Sequence, residues 1–492
     1  MSPRLSLSTL ADLPAAVARP AYDIAAAEVG VVHLGVGAFH RAHQAAYLDA
    51  ILGRGHKGWA ICGASLRSPD TSDALDPQDG LYTLAERSGA GDNLRVIGSL
   101  RRLLVAPRDP EALLAAMCDP RVRIVTLTVT EKGYCHDPAS GTLDEAHPDI
   151  RADLASPQRP VSAPGYLVEA LARRRAAGVA PFTVLTCDNL PANGKTVARV
   201  TARLAALRDD DLGRFVAGEV AFPSTMVDRI VPATTDDDRA LVAAGLGLQD
   251  AWPVMAEPFT QWVVEDLFPL GRPPLEEVGV ELVSDVEPFE HMKLRLLNGA
   301  HSTLAYLGYL AGHATIADTM AVPAFARLVA RLQDEEVTPT LHLPAGVDVA
   351  AYKRALRERF ANPALRHRTW QIAMDGSQKL PQRLVATARD RLAAGAPIPL
   401  LALGVAGWMR YVTGRDEQGN AIDVRDPLAA RLKALADEAG PDATRLAPAL
   451  LSVREVFADL GADPRFAGPV RDALARLMAR GAAATVEEIA GG

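Results

Sequence analysis

Short apolar runs alternate with helical patterns along the first half of the chain. Residues 31–34, 59–63, 122–130 and 182–186 form apolar stretches, and the last two end abruptly in polar residues. Such a run is typical of a parallel strand that is buried on both faces. The apolar spacing of 168–177 predicts a crossover helix between the last two strands. The first half is therefore predicted to be a Rossmann-like, doubly wound α/β sheet.

The pattern changes after residue 285, where helical spacing of apolar positions dominates. The stretch before it, 219–285, is mixed, with short predicted strands at 263–264 and 280–283 whose order the pattern does not give. The sequence thus predicts two domains, 1–285 of α/β class and 286–492 mostly α-helical. The helices predicted for the second domain are 288–310, 324–336, 350–360, 380–394, 399–413, 427–438 and 468–480.

Composition and charge limit the kinds of molecule that the protein is expected to bind. The 492 residues are 49% hydrophobic with a net charge of -8 and no run of Lys or Arg, so nothing indicates a nucleic-acid or membrane partner. Four scattered cysteines without a C-x-x-C pair fit a reduced cytoplasmic protein without structural metal. The first residues lack the apolar segment of a signal peptide. We expect a cytoplasmic monomer or small homo-oligomer that binds a small molecule.

A glycine-containing turn follows the first predicted strand and leads into a helix. Its sequence pattern is G-x-G-x-x-H, formed by Gly35, Val36, Gly37, Ala38, Phe39 and His40. Gly35 allows a tight turn, and Gly37 lets backbone N–H groups approach a pyrophosphate at the start of the helix. His40 replaces the third glycine of the usual pattern, which predicts a wider contact between helix and strand. Because a helix and a second strand follow, the turn predicts dinucleotide binding.

Polar residues follow three of the predicted strands. Arg67 and Asp70 come after the second strand, where an acidic residue often binds the ribose; Asp70 could do so, and Arg67 could contact the adenine or a phosphate. We therefore expect NAD as the cofactor, with NADP as the alternative. Thr130, Glu131 and Asn189 follow the later strands, and ligands bind beyond strand carboxyl ends. We expect them near a nicotinamide, with ordinary turn chemistry as the alternative.

The predicted helix 288–310 carries polar residues that an apolar core would not favour. At 100° per residue, Glu290, Lys293 and His301 fall within about 80° of one another, with Asn298 further round. A lysine there must reach water, pair with a carboxylate, or have a lowered pKa. Each residue alone is explained by helix packing. Together with a dinucleotide turn elsewhere in the chain, they indicate a catalytic cluster.

Basic residues crowd the stretch 362–384, which contains Arg366, His367, Arg368, Lys379 and Arg383. They are surface cations at a helix end in one interpretation. In the other, they bind an anionic group of the substrate, with Arg366 and Arg368 as the candidates, because an acidic protein needs local cations to attract a carboxylate.

Four segments together resemble one family. HLGVGAFHRAHQAAY, TVTEKGY, CDNLPANG and KLRLLNGAHSTLAYLGY are similar to the polyol-specific long-chain dehydrogenase/reductases, over nearly the entire chain. The resemblance implies a nicotinamide cofactor, no metal, an NAD(P)-binding domain at 1–285 and a substrate and catalytic domain at 286–492. It implies that Lys293 is the catalytic base, that Asn189 and Asn298 hold the reacting oxygen, that His301 binds substrate, and that Glu290 passes protons to solvent.

The branch of the family is indicated by the second domain. Residues 362–384 and 401–427 resemble the fructuronate reductases, which interconvert D-fructuronate and D-mannonate. Mannitol 2-dehydrogenase, D-arabinitol dehydrogenase and tagaturonate reductase are the alternatives within the family. A nicotinamide-binding sensor without turnover is the alternative from another class. The resemblance implies an NAD(H)-linked oxidoreductase that acts on a sugar acid or a polyol.

Overall fold

A computed structural model describes residues 3–89, 91–137 and 140–491. The chain separates into two compact units, Met1–Glu287 and Pro288–Gly492. Within the described ranges, no helix combines the length and apolarity needed to cross a membrane.

The first unit contains the strands of the structure. In chain order they are β1 (Val29–Leu34), β2 (Ala60–Ser65), β3 (Tyr82–Ser88), β4 (Gly91–Ile97), β5 (Leu100–Val105), β6 (Ile124–Leu127), β7 (Thr183–Thr186), β8 (Thr225–Asp228), β9 (Val254–Ala256), β10 (Gln261–Glu265) and β11 (Glu281–Val283).

A five-stranded parallel sheet in the order β5-β2-β1-β6-β7 forms the centre of this unit. β1, β2, β6 and β7 are buried on both faces, and because successive side chains point to opposite sides, each of these strands can contribute to two cores. In β1, Val32 packs into one apolar core and Val31 into another. In β7, Val184 and Leu185 divide between the same two cores. The predicted Rossmann-like, doubly wound sheet is confirmed.

Two three-stranded sheets account for the segments that the pattern left without an order. The antiparallel pair β3–β4 is extended by β9, which runs parallel to β3. The strands predicted at 263–264 and 280–283 correspond to β10 and β11, which pair in parallel. On its other side, β10 pairs with β8 in the antiparallel direction. These pairings join segments far apart in sequence, so local periodicity could not reveal them.

Helices connect the strands of the first unit. The crossover helix predicted at 168–177 begins earlier than expected, because Ser162 caps it and Pro164 stands in its first turn. The α-helices are α1 (Ala38–Ala42), α2 (Gln44–Gly53), α3 (Asp70–Leu75), α4 (Pro110–Cys118), α5 (Pro148–Ala155), α6 (Ala163–Ala176), α7 (Asn193–Arg208), α8 (Asp210–Glu219) and α9 (Asp236–Leu246). Short 3-10 helices cover Leu7–Asp12, Ile24–Ala26, Lys57–Trp59, Asp76–Gln78, Glu131–Tyr134 and Leu275–Val278.

The second unit is helical, as the pattern predicts. Its α-helices are α10 (Glu287–Met292), α11 (Ala300–Leu310), α12 (Ile316–Met320), α13 (Pro323–Arg331), α14 (Val349–Phe360), α15 (Thr369–Ala373), α16 (Gly376–Leu380), α17 (Ala386–Ala393), α18 (Pro399–Tyr411), α19 (Ala429–Ala439), α20 (Ala443–Leu451), α21 (Arg454–Phe457), α22 (Pro464–Arg480) and α23 (Ala482–Gly491). Short 3-10 helices cover Thr338–Thr340, Pro363–Leu365 and Leu460–Ala462.

Three predicted helices contain π-helical segments, at Lys293–Gly299, Leu332–Val337 and Pro381–Val385. The first of them interrupts the predicted helix 288–310 between α10 and α11. Regular α-helical spacing would set Lys293 and Asn298 about 140° apart. A π turn closes a hydrogen bond over five residues, so α-helical spacing does not describe the relation of these two residues in this segment. Single π turns are rare in proteins overall, but those that occur are often found at functional sites.

Candidate functional site

Gly35 forms a tight turn at the carboxyl end of β1. Its φ is +97°, and its N–H donates to the carbonyl oxygen of Ala64, 2.8 Å away. A Cβ at this position would lie 2.1 Å from the carbonyl oxygen of Thr128, the residue that follows β6. The close approach of two backbones therefore requires glycine here.

Gly37 has a different surrounding from Gly35. It has an extended backbone, with φ -86°, and it is the N-cap of α1. Within the described chain, a Cβ on Gly37 would meet only the carbonyl oxygen of Gly35, at 3.9 Å. The space above Gly37 is open and lies at the start of a helix, which fits a cofactor pyrophosphate.

The remaining residues of the turn pack inside the protein. Val36 packs against Gly63, where a Cβ would lie 2.6 Å from a methyl group of Val36. Phe39 stacks on His43 with ring centroids 5.0 Å apart. Ala38 begins α1 and packs against the apolar core that contains Val36.

His40 is fully buried and stacks on His33. The ring centroids are 3.3 Å apart and the planes differ by 9°. Both nitrogens of His33 have partners, including the hydroxyls of Thr126 and Thr128. Burial lowers the pKa of His33 to about 3 and that of His40 well below its usual range, so the two stacked rings are neutral. The helix accommodates His40 because its ring lies flat against the strand residue.

The residues after β2 are exposed and have contacts of their own. Arg67 donates to the carboxylate of Asp149 at 2.5 Å, a residue 82 positions away. Asp70 is exposed and begins α3. A contact between Arg67 and a cofactor would require it to leave this ion pair, so its predicted role stays a prediction.

A possible metal-binding group lies beside this ion pair. Ligand atoms of Cys135, His147 and Asp149 all lie within 4.8 Å of one another. Burial raises the pKa of the Cys135 thiol to about 12, and the negative charge of Asp149 is the next largest cause of this rise. Asp149 is already paired with Arg67. We assign no metal role to this group, and the predicted absence of a metal stays a prediction.

Asp188 organises the segment beyond β6. Its carboxylate accepts hydrogen bonds from the backbone N–H groups of Val129 at 2.9 Å and Thr130 at 3.1 Å, and from the hydroxyl of Tyr134 at 2.7 Å. Thr130 has a φ of +64°, a conformation that non-glycine residues rarely adopt. The carboxylate thus holds a strained turn that leads directly to Glu131.

Burial raises the pKa of Asp188 to about 6, and the hydrogen bonds lower it in part. Asp188 lies two residues after β7 and next to the exposed Asn189. The sequence analysis did not single it out, because its partners Val129, Thr130 and Tyr134 are more than 50 residues away.

In the second unit, Lys293 is buried, with 8% of its surface exposed. It begins the π segment, and Glu290 lies half-buried one turn before it. The segment ends at Gly299, where a Cβ would lie 2.8 Å from the carbonyl oxygen of Arg383. The wide turn that contains Lys293 and Asn298 therefore packs closely against the backbone of a second π segment.

His301 lies in the first turn of α11 among other rings. It stacks on Phe360 with centroids 5.2 Å apart, and the His367 ring meets it at 4.7 Å and 63°. Nε2 of His301 and Nδ1 of His367 are buried and have no hydrogen-bond partner among the described residues. Two such nitrogens side by side are unusual, because buried polar atoms nearly always have partners.

The groups around these rings are basic. Burial lowers the pKa of His301 well below its usual range, and His367, Arg383, Arg359 and Lys379 lower it further. Burial lowers the pKa of His367 to about 4, with Arg359 and Lys379 acting in the same direction. Both imidazoles are therefore neutral at physiological pH.

Two of these cations are held in place by hydrogen bonds. Arg383 donates to the hydroxyl of Ser302 at 3.0 Å, and burial of its guanidinium lowers its pKa to about 10. The Lys379 ammonium donates to the carbonyl oxygen of Met374 at 2.6 Å. Fixed, partly desolvated cations beside neutral donors form a site suited to an anion.

Arg366 and Arg368 are exposed, unlike the cations around His301. Both line a cavity of about 630 Å³ together with Tyr309 and Trp370, and His301 is not part of its wall. Their predicted contact with substrate stays a prediction, which this geometry does not favour.

Two family models match the chain. The model of the mannitol dehydrogenase Rossmann domain matches residues 29–277, and that of the mannitol dehydrogenase C-terminal domain matches residues 285–478.

Individual proteins are similar over almost the full length. An uncharacterised oxidoreductase of Escherichia coli is 49% identical, covering 96% of both chains. D-mannonate oxidoreductase of the same organism is 48% identical, covering 97% of this chain and 99% of that one. Among solved structures, mannitol 2-dehydrogenase of Pseudomonas fluorescens in a ternary complex with NAD and D-mannitol is 39% identical, with a TM-score of 0.88 over 99% of both chains.

Proposed function

This chain belongs to the mannitol dehydrogenase family of oxidoreductases, and we propose that it transfers hydride between NAD(H) and a sugar acid, interconverting D-fructuronate and D-mannonate. The predicted family and the oxidoreductase activity on CH–OH groups are confirmed by the family models and relatives. In this proposal the unit Met1–Glu287 binds the nicotinamide cofactor, and Pro288–Gly492 carries the substrate-binding and catalytic residues.

NAD is the proposed cofactor. The open space at Gly37 supports a bound pyrophosphate, and the similar mannitol 2-dehydrogenase was solved with NAD. Bound NAD(H) would supply the hydride. Gly35, Gly37 and the backbone of 35–40 would hold its phosphates, and Thr130, Glu131 and Asn189 would face the nicotinamide.

Lys293 is the proposed proton donor in reduction and the acceptor in oxidation. Hydride transfer to a ketone develops negative charge on its oxygen, which amide donors stabilise by about 3 kcal/mol each. Asn189 and Asn298 are proposed for this role, and the π segment that contains both Lys293 and Asn298 supports it, because such segments are frequent at functional sites. Glu290, one turn before Lys293, would pass the proton to solvent.

The basic surroundings of His301 are the observation that favours an acid substrate. A neutral polyol gains little from the buried guanidinium of Arg383, whereas a carboxylate is attracted by its partly desolvated charge. The similarity to D-mannonate oxidoreductase agrees with this choice. Overall identity does not decide it, because an uncharacterised oxidoreductase is equally similar.

A substrate panel tests the proposal. Initial rates are measured on D-mannonate, D-mannitol and D-arabinitol with NAD and with NADP, for the wild type, Arg383→Gln and Arg368→Gln. We expect the highest kcat/KM for D-mannonate with NAD. Arg383→Gln should raise the KM for D-mannonate about 10-fold or more, as for loss of a charged hydrogen bond, and Arg368→Gln should change it less than about 3-fold. Equal or better turnover of the polyols would reject the sugar-acid proposal.

Mannitol 2-dehydrogenase activity is the second candidate, because the similar structure contains D-mannitol. D-arabinitol dehydrogenase and tagaturonate reductase activities are distinguished by the same panel with D-tagaturonate added. A sensor without turnover would bind NADH and show no rate with any of these compounds.

A further inference from the structure

The loop between α14 and α15 contributes a ring to the surroundings of His301. His367 lies in this loop, and its carbonyl oxygen accepts a hydrogen bond from the N–H of Ile316 at 2.9 Å. Thr369 fixes the other side of the loop, donating through its backbone N–H to the carbonyl oxygen of Ala314 at 3.1 Å. These bonds hold the His367 ring against His301, 4.7 Å between centroids.

The His367 ring has a hydrogen-bonding group that the protein does not use. Its Nδ1 is buried without a partner in the part of the chain that the structure describes, and so is Nε2 of His301. Burying such atoms without a hydrogen bond is unfavourable, so we expect a ligand atom to supply the missing hydrogen bond. A neutral imidazole has one N–H to donate and one nitrogen to accept.

The charges near His367 select the kind of ligand atom. Arg359 and Lys379 are both positive and close enough to lower its pKa, and Arg383 acts on the neighbouring His301. An anionic oxygen accepts the imidazole N–H and is attracted by these cations at the same time. A hydroxyl can accept the hydrogen bond but gains nothing comparable from the cations.

We propose that His367 is a specificity-determining residue that contacts the substrate, donating a hydrogen bond from its ring to the carboxylate of a sugar acid. This inference rests on the proposed function. It distinguishes the acid-binding site from the exposed Arg366 and Arg368 that flank His367 in sequence, because these two line a cavity without His301, whereas the His367 ring contacts His301.

Steady-state kinetics of three full-length variants test the proposal. His367→Phe keeps an aromatic ring against His301 and removes the donor. His367→Asn keeps a side-chain amide donor and removes the ring. His342→Phe, at an exposed histidine of the same unit, is the matched control. Each variant is assayed on D-mannonate and D-mannitol with NAD, and its melting temperature and NADH affinity are measured.

We expect His367→Phe to raise the KM for D-mannonate about 10-fold or more, with kcat, NADH affinity and the KM for D-mannitol within about 3-fold of wild type. His367→Asn should recover most of the D-mannonate KM. The control should match the wild type. If His367→Phe does not fold, His367→Leu, which also lacks the donor, takes its place in the comparison with His367→Asn, because a merely structural ring would raise both KM values together.

Two outcomes overturn the inference on its own. One is a His367→Phe variant that uses D-mannonate like the wild type, and the other is an equal rise in KM for acid and polyol. A wild type without turnover of D-mannonate overturns the proposed function, and this inference with it, and it is recognised before any variant is made.

Discussion

Gly37→Ala tests the cofactor site more directly than any other single change. The backbone of Gly37 is extended, and an added methyl would meet nothing closer than the carbonyl oxygen of Gly35 at 3.9 Å, within the described residues. The variant is therefore expected to keep its free energy of unfolding within about 0.5 kcal/mol. The methyl would occupy the place where a pyrophosphate approaches the backbone, so the Kd for NADH should rise about 10-fold or more.

Gly35→Ala is the contrasting substitution two residues earlier. Here φ is +97° and the Cβ would lie 2.1 Å from the carbonyl oxygen of Thr128. The positive φ costs about 1–2 kcal/mol and the overlap about 1–3 kcal/mol more. We expect a fall of about 2–5 kcal/mol in the free energy of unfolding, which corresponds to roughly 4–20 °C in Tm for a unit of this size.

The assay combines scanning calorimetry without cofactor and fluorescence titration with NADH, on the wild type and both variants. Gly37→Ala should melt with the wild type and bind NADH weakly, whereas Gly35→Ala should melt early. Wild-type NADH affinity in a normally folded Gly37→Ala variant would refute the location of the pyrophosphate. A stable Gly35→Ala variant would refute the packing argument at β1.

Three further predictions follow from the two units. Lys293→Ala should abolish turnover and leave the Kd for NADH within about 3-fold, and persistent turnover would disprove its role as the proton donor. Asp188 has a folded pKa of about 6 against about 3.9 unfolded, so its protonated form is favoured by folding and its contribution to stability falls as pH rises between these values. Relative to Asp188→Asn, the wild type should lose about 2 kcal/mol of unfolding free energy between pH 4.5 and 7 in urea titrations, and a constant difference would contradict this. Arg67→Ala should lower stability by less than about 1 kcal/mol, because the Arg67 side chain of the ion pair is exposed. It should leave NADH affinity within about 2-fold; a larger loss of affinity would show that Arg67 leaves Asp149 to contact the cofactor.

Much of the fold followed from periodicity. The parallel strands β1, β2, β6 and β7 were predicted as apolar runs, because burial on both faces removes the polar alternation. The strand β5 and the hairpin β3–β4 were not predicted. Their residues Leu100–Val105 include two arginines and Gly91–Ile97 begins with polar residues, so the pattern there is that of half-exposed strands.

Side-chain surroundings were predicted less well than the residues themselves. Lys293, Asn298 and His301 were singled out as polar positions in an apolar helix, and their roles stay predictions; the π segment that contains Lys293 and Asn298 did not follow from α-helical spacing. The cations that lower the pKa of His301 are Arg383, Arg359 and Lys379, and the predicted basic stretch 362–384 had included two of them; the contacts predicted for Arg366 and Arg368 stay predictions.

The sequence by itself determined the features that depend on neighbouring residues: which runs are strands, where a glycine turn leads into a helix, and which family the motifs resemble. Only the tertiary structure decided the features that depend on distant residues. Thr128 requires a glycine at position 35, Asp188 holds the turn at Thr130, and His367 meets the ring of His301. Hydrophobic patterning acts over a few residues, whereas hydrogen bonds, ion pairs and ring contacts join whichever residues the packing of the chain brings together.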